Sequence, residues 1–466
     1  MSNASHDLHA RLTTERARAA EHGQDHVLAH WDALDDAGRI RLLDQLEAVD
    51  YPLMRRLADL LAADGGQASP ELAPPALFPL ERDAATEARA EAARVRGAQL
   101  LAAGRVGFMI VAGGQGSRLG YDGPKGCFEI GPVSRRSLFG WHAHRIRAAG
   151  RRHGFTPAWY VMTSPANDAA TRAFFAEHDH FGLPAEDVVF FSQAMLPAMD
   201  LEGRLLLQAP DSLFLAPNGH GGSLAALATS GALADMERRG IDTISYFQVD
   251  NPLARPGDTL FLGLHAEAGA GMSSKVVSKR DAGEKVGVLG LIDGRMGCIE
   301  YSDLSDELRE ACTDDGKLLF RAGNIAVHAI ERSFVAELTA GGDLDLPWHI
   351  ARKRMQVLAP DGGTVEVDGA KFETFVFDAL GKSDASVTLE VERGLEFSPV
   401  KNKDGSDSAA SCRADLTALF AAWLDDVDGD ELLEVDPLVA EDAAEFAARA
   451  GAEPRRLDGG RLYEDA

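Results

Sequence analysis

The residues best suited to chemistry form one short stretch, VAGGQGSRLG (residues 111–120), followed at once by Pro124 and Lys125. Gly113, Gly114 and Gly116 carry no Cβ, so the backbone there can come close to a phosphate or a base. Successive backbone N–H groups can form an anion nest. Arg118 adds a planar cation suited to phosphate oxygens, and Lys125 adds a compact one. Two familiar phosphate loops do not fit. A dinucleotide fingerprint counted from Gly114 meets Leu119 where the third glycine belongs, and a P-loop fails because Lys125 follows Pro124 and precedes Gly126. Taken alone, the same residues also describe a glycine turn with a surface arginine and lysine.

The elements around this loop say how it is held. Residues 106–111 (VGFMIV) are a continuous apolar run, the pattern of a strand buried on both faces. Similar runs follow at 158–162 (AWYVM), 187–191 (DVVFF) and 241–249 (IDTISYFQV), with helical stretches at 166–178 and 224–239 between them. Strands alternating with helices predict an α/β fold with a mainly parallel sheet, and ligands then bind beyond the carboxyl ends of the strands. Each of the four runs ends in glycine or polar residues. Upstream, residues 7–63 read as helices that stop at residues 64–66, and Pro70, Pro74, Pro75 and Pro79 mark an irregular connector before a helix over 83–103. After Pro252 short strands and turns mix, and from residue 396 an acidic, alanine-rich tail reads as a small appended domain. The expected division is therefore 1–100 (helical), 101–395 (catalytic α/β) and 396–466 (small C-terminal domain).

Composition narrows the function classes. The 466 residues carry a formal net charge of −26, which disfavours nucleic acid as a partner and requires any phosphate site to concentrate cations locally. Cys127, Cys298, Cys312 and Cys412 lie at neither zinc nor disulfide-framework spacing, which points to reduced cysteines in a cytoplasmic protein. No apolar run approaches the roughly 20 residues that span a bilayer, and the amino terminus lacks a basic start followed by an apolar stretch, so neither a membrane span nor a signal peptide is expected.

A strand, then AGGxGSRLG, then PKG resembles the eukaryotic-type UDP-sugar pyrophosphorylases, and among them the UDP-N-acetylglucosamine pyrophosphorylases. The resemblance continues in order through MTSPAND (162–168), FFAEHDHFGL (174–183), FFSQAMLPAMD (190–200), APNGHGG (216–222), VDNPL (249–253), KVVSK (275–279), VGV (286–288), IEYSDL (299–304), RAGNIAVH (321–328), LPWHIARK (346–353), FVFD (375–378) and FSPVKN (397–402). It spans roughly residues 25–405, and the tail more weakly. It implies a Rossmann-like nucleotide-binding domain of the glycosyltransferase-A type, with a mixed, mainly parallel sheet and smaller outer domains. It also implies uridylyl transfer from UTP to a sugar 1-phosphate by an in-line attack at the α-phosphorus. Such transfers need positioning and charge neutralisation more than acid–base chemistry.

On this resemblance Arg118, Lys125 and Lys401 are the catalytic cations, and Asp250 holds Mg²⁺ or Mn²⁺. Ala112, Gly113, Gly114, Gln193 and Gly219 bind the uracil nucleotide. His220, Gly287, Glu300, Asn324, Phe375 and Phe377 hold the sugar. A glutamine amide can both donate to and accept from one edge of uracil. Phe375 and Phe377, two apart on a strand, would share one face. Each residue also has a plainer reading: Lys401 as a solvated lysine, Asp250 as a turn or helix cap, Gln193 as a wetted strand end, and the phenylalanine pair as core. The protein is expected to act as a monomer or weak homodimer.

The chain departs from the pattern in one telling place. APNGHGG carries His220 where N-acetylglucosamine enzymes carry asparagine, and the histidine is similar to the loop of glucose-type enzymes. Asp303 stands where the usual motif has glutamate. VDNPL, IEY and GNIA favour N-acetylglucosamine 1-phosphate; glucose or galactose 1-phosphate is the alternative. A UDP-sugar glycosyltransferase would more commonly carry Asp-x-Asp, whereas Asp250-Asn251-Pro252 offers one carboxylate. An inactive UDP-sugar-binding regulator would not need the full set of cations.

Overall fold

Val106–Val111 forms the strand that its apolar run predicts, and it sits in the middle of a ten-stranded mixed sheet. The computed structural model describes residues 3–63, 70–301, 303–424, 427, 431–449, 453–457 and 459–464. The predicted helix stop at residues 64–66, and Ser302 of IEYSDL, lie outside them.

The chain forms two compact units, and neither is continuous in sequence. The larger gathers residues 70–193, 223–345 and 377–466. In it Val106–Val111 pairs in parallel with Trp159–Thr163 on one side and Thr243–Gln248 on the other, and Trp159–Thr163 pairs in parallel with Val188–Ser192. All four predicted strands are therefore present and neighbouring. Beyond Thr243–Gln248 the sheet turns antiparallel through the ten-residue strand Ala322–Glu331. That strand in turn pairs with Met272–Ser278 and, at one position, with Val288–Ile292. The predicted helix over 224–239 is two helices, Gly222–Thr229 and Ala232–Arg238, broken at Gly231, whose φ of 84° no helix residue adopts.

Two helices cover this sheet with their backbones nearly touching. In Ala84–Ala102 a Cβ on Gly97 would stand 1.9 Å from the Thr259 carbonyl oxygen; in Thr259–Ala268 a Cβ on Gly263 would stand 1.8 Å from that of Ala93. Even one methyl group forces the helices apart. Gly97→Ala is expected to destabilise this unit by about 2–3 kcal/mol through overpacking, although alanine favours helix intrinsically. A urea midpoint at or above the wild-type value would contradict this packing.

The acidic tail is folded into the same unit. Ser408 and Ser411 form a capping box at the start of the helix Ala409–Ala421. Leu432–Val435, Gly460–Tyr463 and Arg455–Leu457 make a three-stranded sheet. Leu416, Phe420, Leu433, Val435 and Tyr463 bury into one core with Phe108, Ile110 and Trp159 of the central sheet. The tail shares its core with the central sheet instead of standing apart at residue 396.

The smaller unit gathers residues 1–69, 194–222 and 346–376. Its helices, Asn3–Glu21, Asp36–Glu47 and Tyr51–Ala63, match the predicted helical region. Two segments from the middle of the sequence join them. The hairpin His349–Leu358 with Thr364–Glu373 pairs in full antiparallel register, and Met199–Asp200 extends it. Leu42, Leu43, Leu46, Met199, Leu207 and Phe372 share one core. The strand Thr364–Glu373 ends before Phe375, and Phe377 lies in the 3₁₀ turn Val376–Lys382. Phe375 and Phe377 are therefore not two residues on one strand face, because the extended backbone stops two residues too early.

Candidate active site

In the larger unit the glycine loop springs from the end of Val106–Val111 and folds back on itself. The Gly116 N–H donates to the Gly123 carbonyl at 2.8 Å, and the Lys125 N–H donates to the Gly114 carbonyl at 3.1 Å. That second bond returns Lys125 to the loop it follows in sequence.

The loop's carbonyls are tied down from the neighbouring strand end. Asn167 Nδ2 donates to the carbonyls of Ala112 at 2.9 Å and Gly114 at 3.3 Å, and Ser164 Oγ donates to that of Gly113 at 2.8 Å. The Ser164 N–H holds Asn167 in turn, donating to its Oδ1 at 2.8 Å. The Ala112 N–H is already committed to the Met162 carbonyl at 2.9 Å. Among the described residues the N–H groups of Gly113 and Gly114 make no hydrogen bond, so these two remain for a ligand. Gln193, nearly buried, stands beside the first of them: a Cβ on Gly113 would lie 3.4 Å from its amide. Asn167→Ala frees two loop carbonyls at a cost of about 1.5 kcal/mol, so the Kd for UTP is expected to rise roughly tenfold. Calorimetry of UTP binding checks this, and an unchanged Kd would show that the loop holds itself.

The cations are arranged around a second strand end. Lys125 is 8% exposed, with Nζ 3.6 Å from Asp250 Oδ2 and 3.4 Å from the Val400 carbonyl. Asp250 follows the strand Thr243–Gln248, and its turn is held from the helix Leu138–His153. There His142 Nε2 lies 3.1 Å from the Val249 carbonyl and Arg145 Nε donates to the Pro252 carbonyl at 3.0 Å. Burial pushes the His142 imidazole down to about 3, so it is neutral at physiological pH and its Nε2–H donates. Lys401 enters with the segment after Val391: the Val400 N–H donates to the Asp250 carbonyl at 2.8 Å, and Lys401 Nζ lies 5.7 Å from the centre of the Phe397 ring. Arg118, on the 3₁₀ turn Ser117–Leu119, is exposed and makes no ion pair among the described residues. Lys125 and Asp250 are thus brought to the glycine loop, with Arg118 on its rim, and Lys401 directly follows Val400, whose backbone bonds to both.

Three of the expected sugar residues meet at another part of the same sheet. The Asn324 N–H donates to the Gly287 carbonyl at 2.9 Å, and a Cβ on Gly287 would stand 3.7 Å from Glu300 Oε1. Phe377 belongs to this unit too. Gly219, His220 and Phe375 belong to the smaller unit. Gly219 has φ of 82°, and a Cβ there would strike the Thr374 carbonyl at 2.4 Å, so only glycine fits. His220 accepts from the Val376 N–H through Nδ1 at 3.1 Å and stacks on Phe375, which also stacks on His349 with centroids 4.4 Å apart.

Residues 79–422 match the UTP–glucose-1-phosphate uridylyltransferase family. The chain belongs to that family. It is 37% identical over 429 residues to the human "UDP-N-acetylhexosamine pyrophosphorylase-like protein 1", covering 88% of this chain and 84% of that one. It is 38% identical over 347 residues to the UDP-N-acetylglucosamine pyrophosphorylase of Saccharomyces cerevisiae, covering 71% and 72%. Its fold superposes on the crystal structure of the Trypanosoma brucei UDP-N-acetylglucosamine pyrophosphorylase with an inhibitor at a TM-score of 0.82 and 26% identity, covering 100% of this chain and 99% of that one.

Within this uridylyltransferase framework, the sequence reading singles out Lys125, Asp250 and Lys401 but not the residues that hold their segments. Asn167 fixes the loop, and Asn251, His142 and Arg145 fix the Asp250 turn and the segment beside it. Asn167 and Asn251 stood inside two quoted motifs, MTSPAND and VDNPL, so a signal was present. His142 and Arg145 lie in a helix without any such motif.

Proposed function

We infer that this protein is a uridylyltransferase that joins UTP to N-acetylglucosamine 1-phosphate, giving UDP-N-acetylglucosamine and pyrophosphate. The observation that carries it is a buried lysine, Lys125, 3.6 Å from a strand-end carboxylate, Asp250, against a glycine loop in a member of this family. A non-bridging oxygen of the sugar phosphate attacks the α-phosphorus. The new P–O bond forms as the bond from the α-phosphorus to the bridging oxygen breaks, and that oxygen leaves on pyrophosphate.

The residues divide this work. Gly113 and Gly114 offer N–H groups, and Gln193 offers an amide, to the uracil nucleotide; Ala112 shapes the backbone there. Lys125, Lys401 and Arg118 neutralise the charge that builds on the leaving pyrophosphate. Among the described residues no three His, Cys, Asp or Glu gather into a metal cluster. One carboxylate nevertheless fits Mg²⁺ or Mn²⁺, which is commonly held by one or two carboxylates with phosphate oxygens and water completing its shell. Asp250 would hold it, and bound there it supplies charge neutralisation on the phosphates. Asn251 is not a second ligand, because its amide is spent on the Glu396 carbonyl and the Ser398 N–H. That counts against a glycosyltransferase site.

All the proposed reacting groups come from one chain, so a monomer suffices, with at most weak dimerisation. The four free cysteines fit the reducing cytoplasm. Among the described residues no helix is long and apolar enough to cross a membrane.

His220 favours a second reading, with glucose or galactose 1-phosphate as acceptor. Its Nδ1 already accepts from the Val376 N–H, so the ring has no acceptor left for a sugar, whereas an asparagine side chain carries both a donor and an acceptor. Pyrophosphate release with UTP, Mg²⁺ and each of four sugar 1-phosphates (N-acetylglucosamine, N-acetylgalactosamine, glucose, galactose) decides. A preference for the N-acetylglucosamine ester is expected, and His220→Asn is expected to widen its lead over glucose about tenfold in kcat/KM. A wild-type preference for glucose or galactose would assign the protein to the second reading.

A further inference from the structure

Lys275 is completely buried, and the reaction described above makes no use of it. It sits in the strand Met272–Ser278, with Nζ 2.6 Å from Asp258 Oδ2 and 2.5 Å from Glu396 Oε2. Arg255 adds charge to the same cluster. A buried ammonium between two carboxylates is tolerated only in close, well-aligned geometry, so the three side chains hold one another in place. Asp258 is fixed twice, because it also caps the helix Thr259–Ala268 by accepting from the Leu260 N–H at 2.9 Å. Burial would raise its carboxyl group, but Lys275 and Arg255 more than offset this and hold it below the usual carboxylate range.

Glu396 is the arm that reaches the site. Its backbone carbonyl accepts from Asn251 Nδ2 at 2.8 Å, and Asn251 Oδ1 accepts from the Ser398 N–H at 3.1 Å. Val400 then bonds to the Asp250 carbonyl through its N–H and to Lys125 Nζ through its own carbonyl. Lys401 is the next residue. A series of short contacts therefore runs from Lys275, through Glu396 and Asn251, to the segment whose Val400 bonds to Asp250 and Lys125 and directly precedes Lys401.

We propose that Lys275 is a positioning residue for uridylyl transfer, clamping Glu396 so that the 396–401 segment holds Lys401 at the right place relative to Lys125 and Asp250. This rests on the uridylyltransferase reading. The clamp acts on the transition state, where leaving-group charge must be met by a correctly placed ammonium, and much less on UTP binding at the glycine loop.

The test uses the full-length enzyme and two variants for activity, with Lys275→Met alone as a reference for stability. Glu396→Gln keeps the side-chain volume and the backbone carbonyl that Asn251 uses, but removes the ion pair. Lys275→Met/Glu396→Met removes both charges, so neither is left buried and alone, and Asp258 keeps Arg255. Both variants are expected to lose about 10- to 100-fold in kcat in either direction of the reaction, with the calorimetric Kd for UTP within about threefold of wild type. The double variant is expected to recover the thermal midpoint that Lys275→Met alone loses, without recovering kcat. Wild-type kcat in whichever of Glu396→Gln and the double variant is folded would reduce the cluster to a stability feature and overturn the proposal. No turnover by wild type would overturn the uridylyltransferase reading itself, and the clamp with it.

Discussion

Lys125→Ala is expected to lower kcat about 10²- to 10³-fold in both directions, the usual cost of deleting one preorganised electrostatic group from a transition state. Three features make this the largest single effect. Lys125 is nearly buried, so its charge acts through a low dielectric. It is pinned by its own N–H to Gly114 and by its ammonium to the Val400 carbonyl, so it needs no reorganisation during the reaction. It also stands 3.6 Å from the carboxylate proposed to hold the metal. Lys125→Arg should rescue poorly, because a guanidinium is too large for the same cavity. Steady-state kinetics checks this. A change confined to KM would mean that Lys125 only binds ground-state phosphate.

Asp250→Asn is expected to lower kcat about 100-fold and to raise the Mg²⁺ concentration needed for half-maximal activity. The substitution is chosen to separate two roles. The Asp250 backbone carbonyl, which accepts from the Val400 N–H, is untouched, and asparagine matches the side chain in shape. If Asp250 only shaped the turn, asparagine would serve almost as well. If the charge matters, an amide cannot replace it as a ligand to a hard cation, and Lys125 loses its counter-charge at the same time. A Mg²⁺ titration against rate distinguishes them; an unaltered curve with wild-type kcat would remove Asp250 from the chemistry.

The parts of this structure legible in sequence are those whose cause is local. Val106–Val111 was readable to the residue because a strand buried on both faces is a continuous apolar run bounded by glycines. The glycine loop was readable because glycines, Arg118 and Lys125 crowd into fifteen positions. What escaped was set by partners far away in sequence. Nothing near Met199 announces pairing with Ala370, or near Leu207 a place in the core of the amino-terminal helices, so the discontinuous smaller unit was invisible to periodicity. Phe375 and Phe377 looked like alternate residues of a strand, yet the ladder of Thr364–Glu373 ends at His349↔Glu373, before either is reached. The tail looked separate because it is acidic and alanine-rich, while scattered apolar residues such as Leu416, Phe420 and Val435 join it to the main core. The same limit applies to the site. Charged groups could be picked out by type, but Asn167 and Asn251 matter through what they hold, and only the folded chain shows that.

The most direct test of uridylyl transfer follows the phosphorus atoms. The protein would be incubated with Mg²⁺, N-acetylglucosamine 1-phosphate and UTP labelled with ³²P at either the α- or the γ-position, and the products separated. Attack at the α-phosphorus puts the α-label in UDP-N-acetylglucosamine and the γ-label in pyrophosphate. A γ-label found in inorganic phosphate or on the sugar would mean attack at the terminal phosphorus, and would contradict the account.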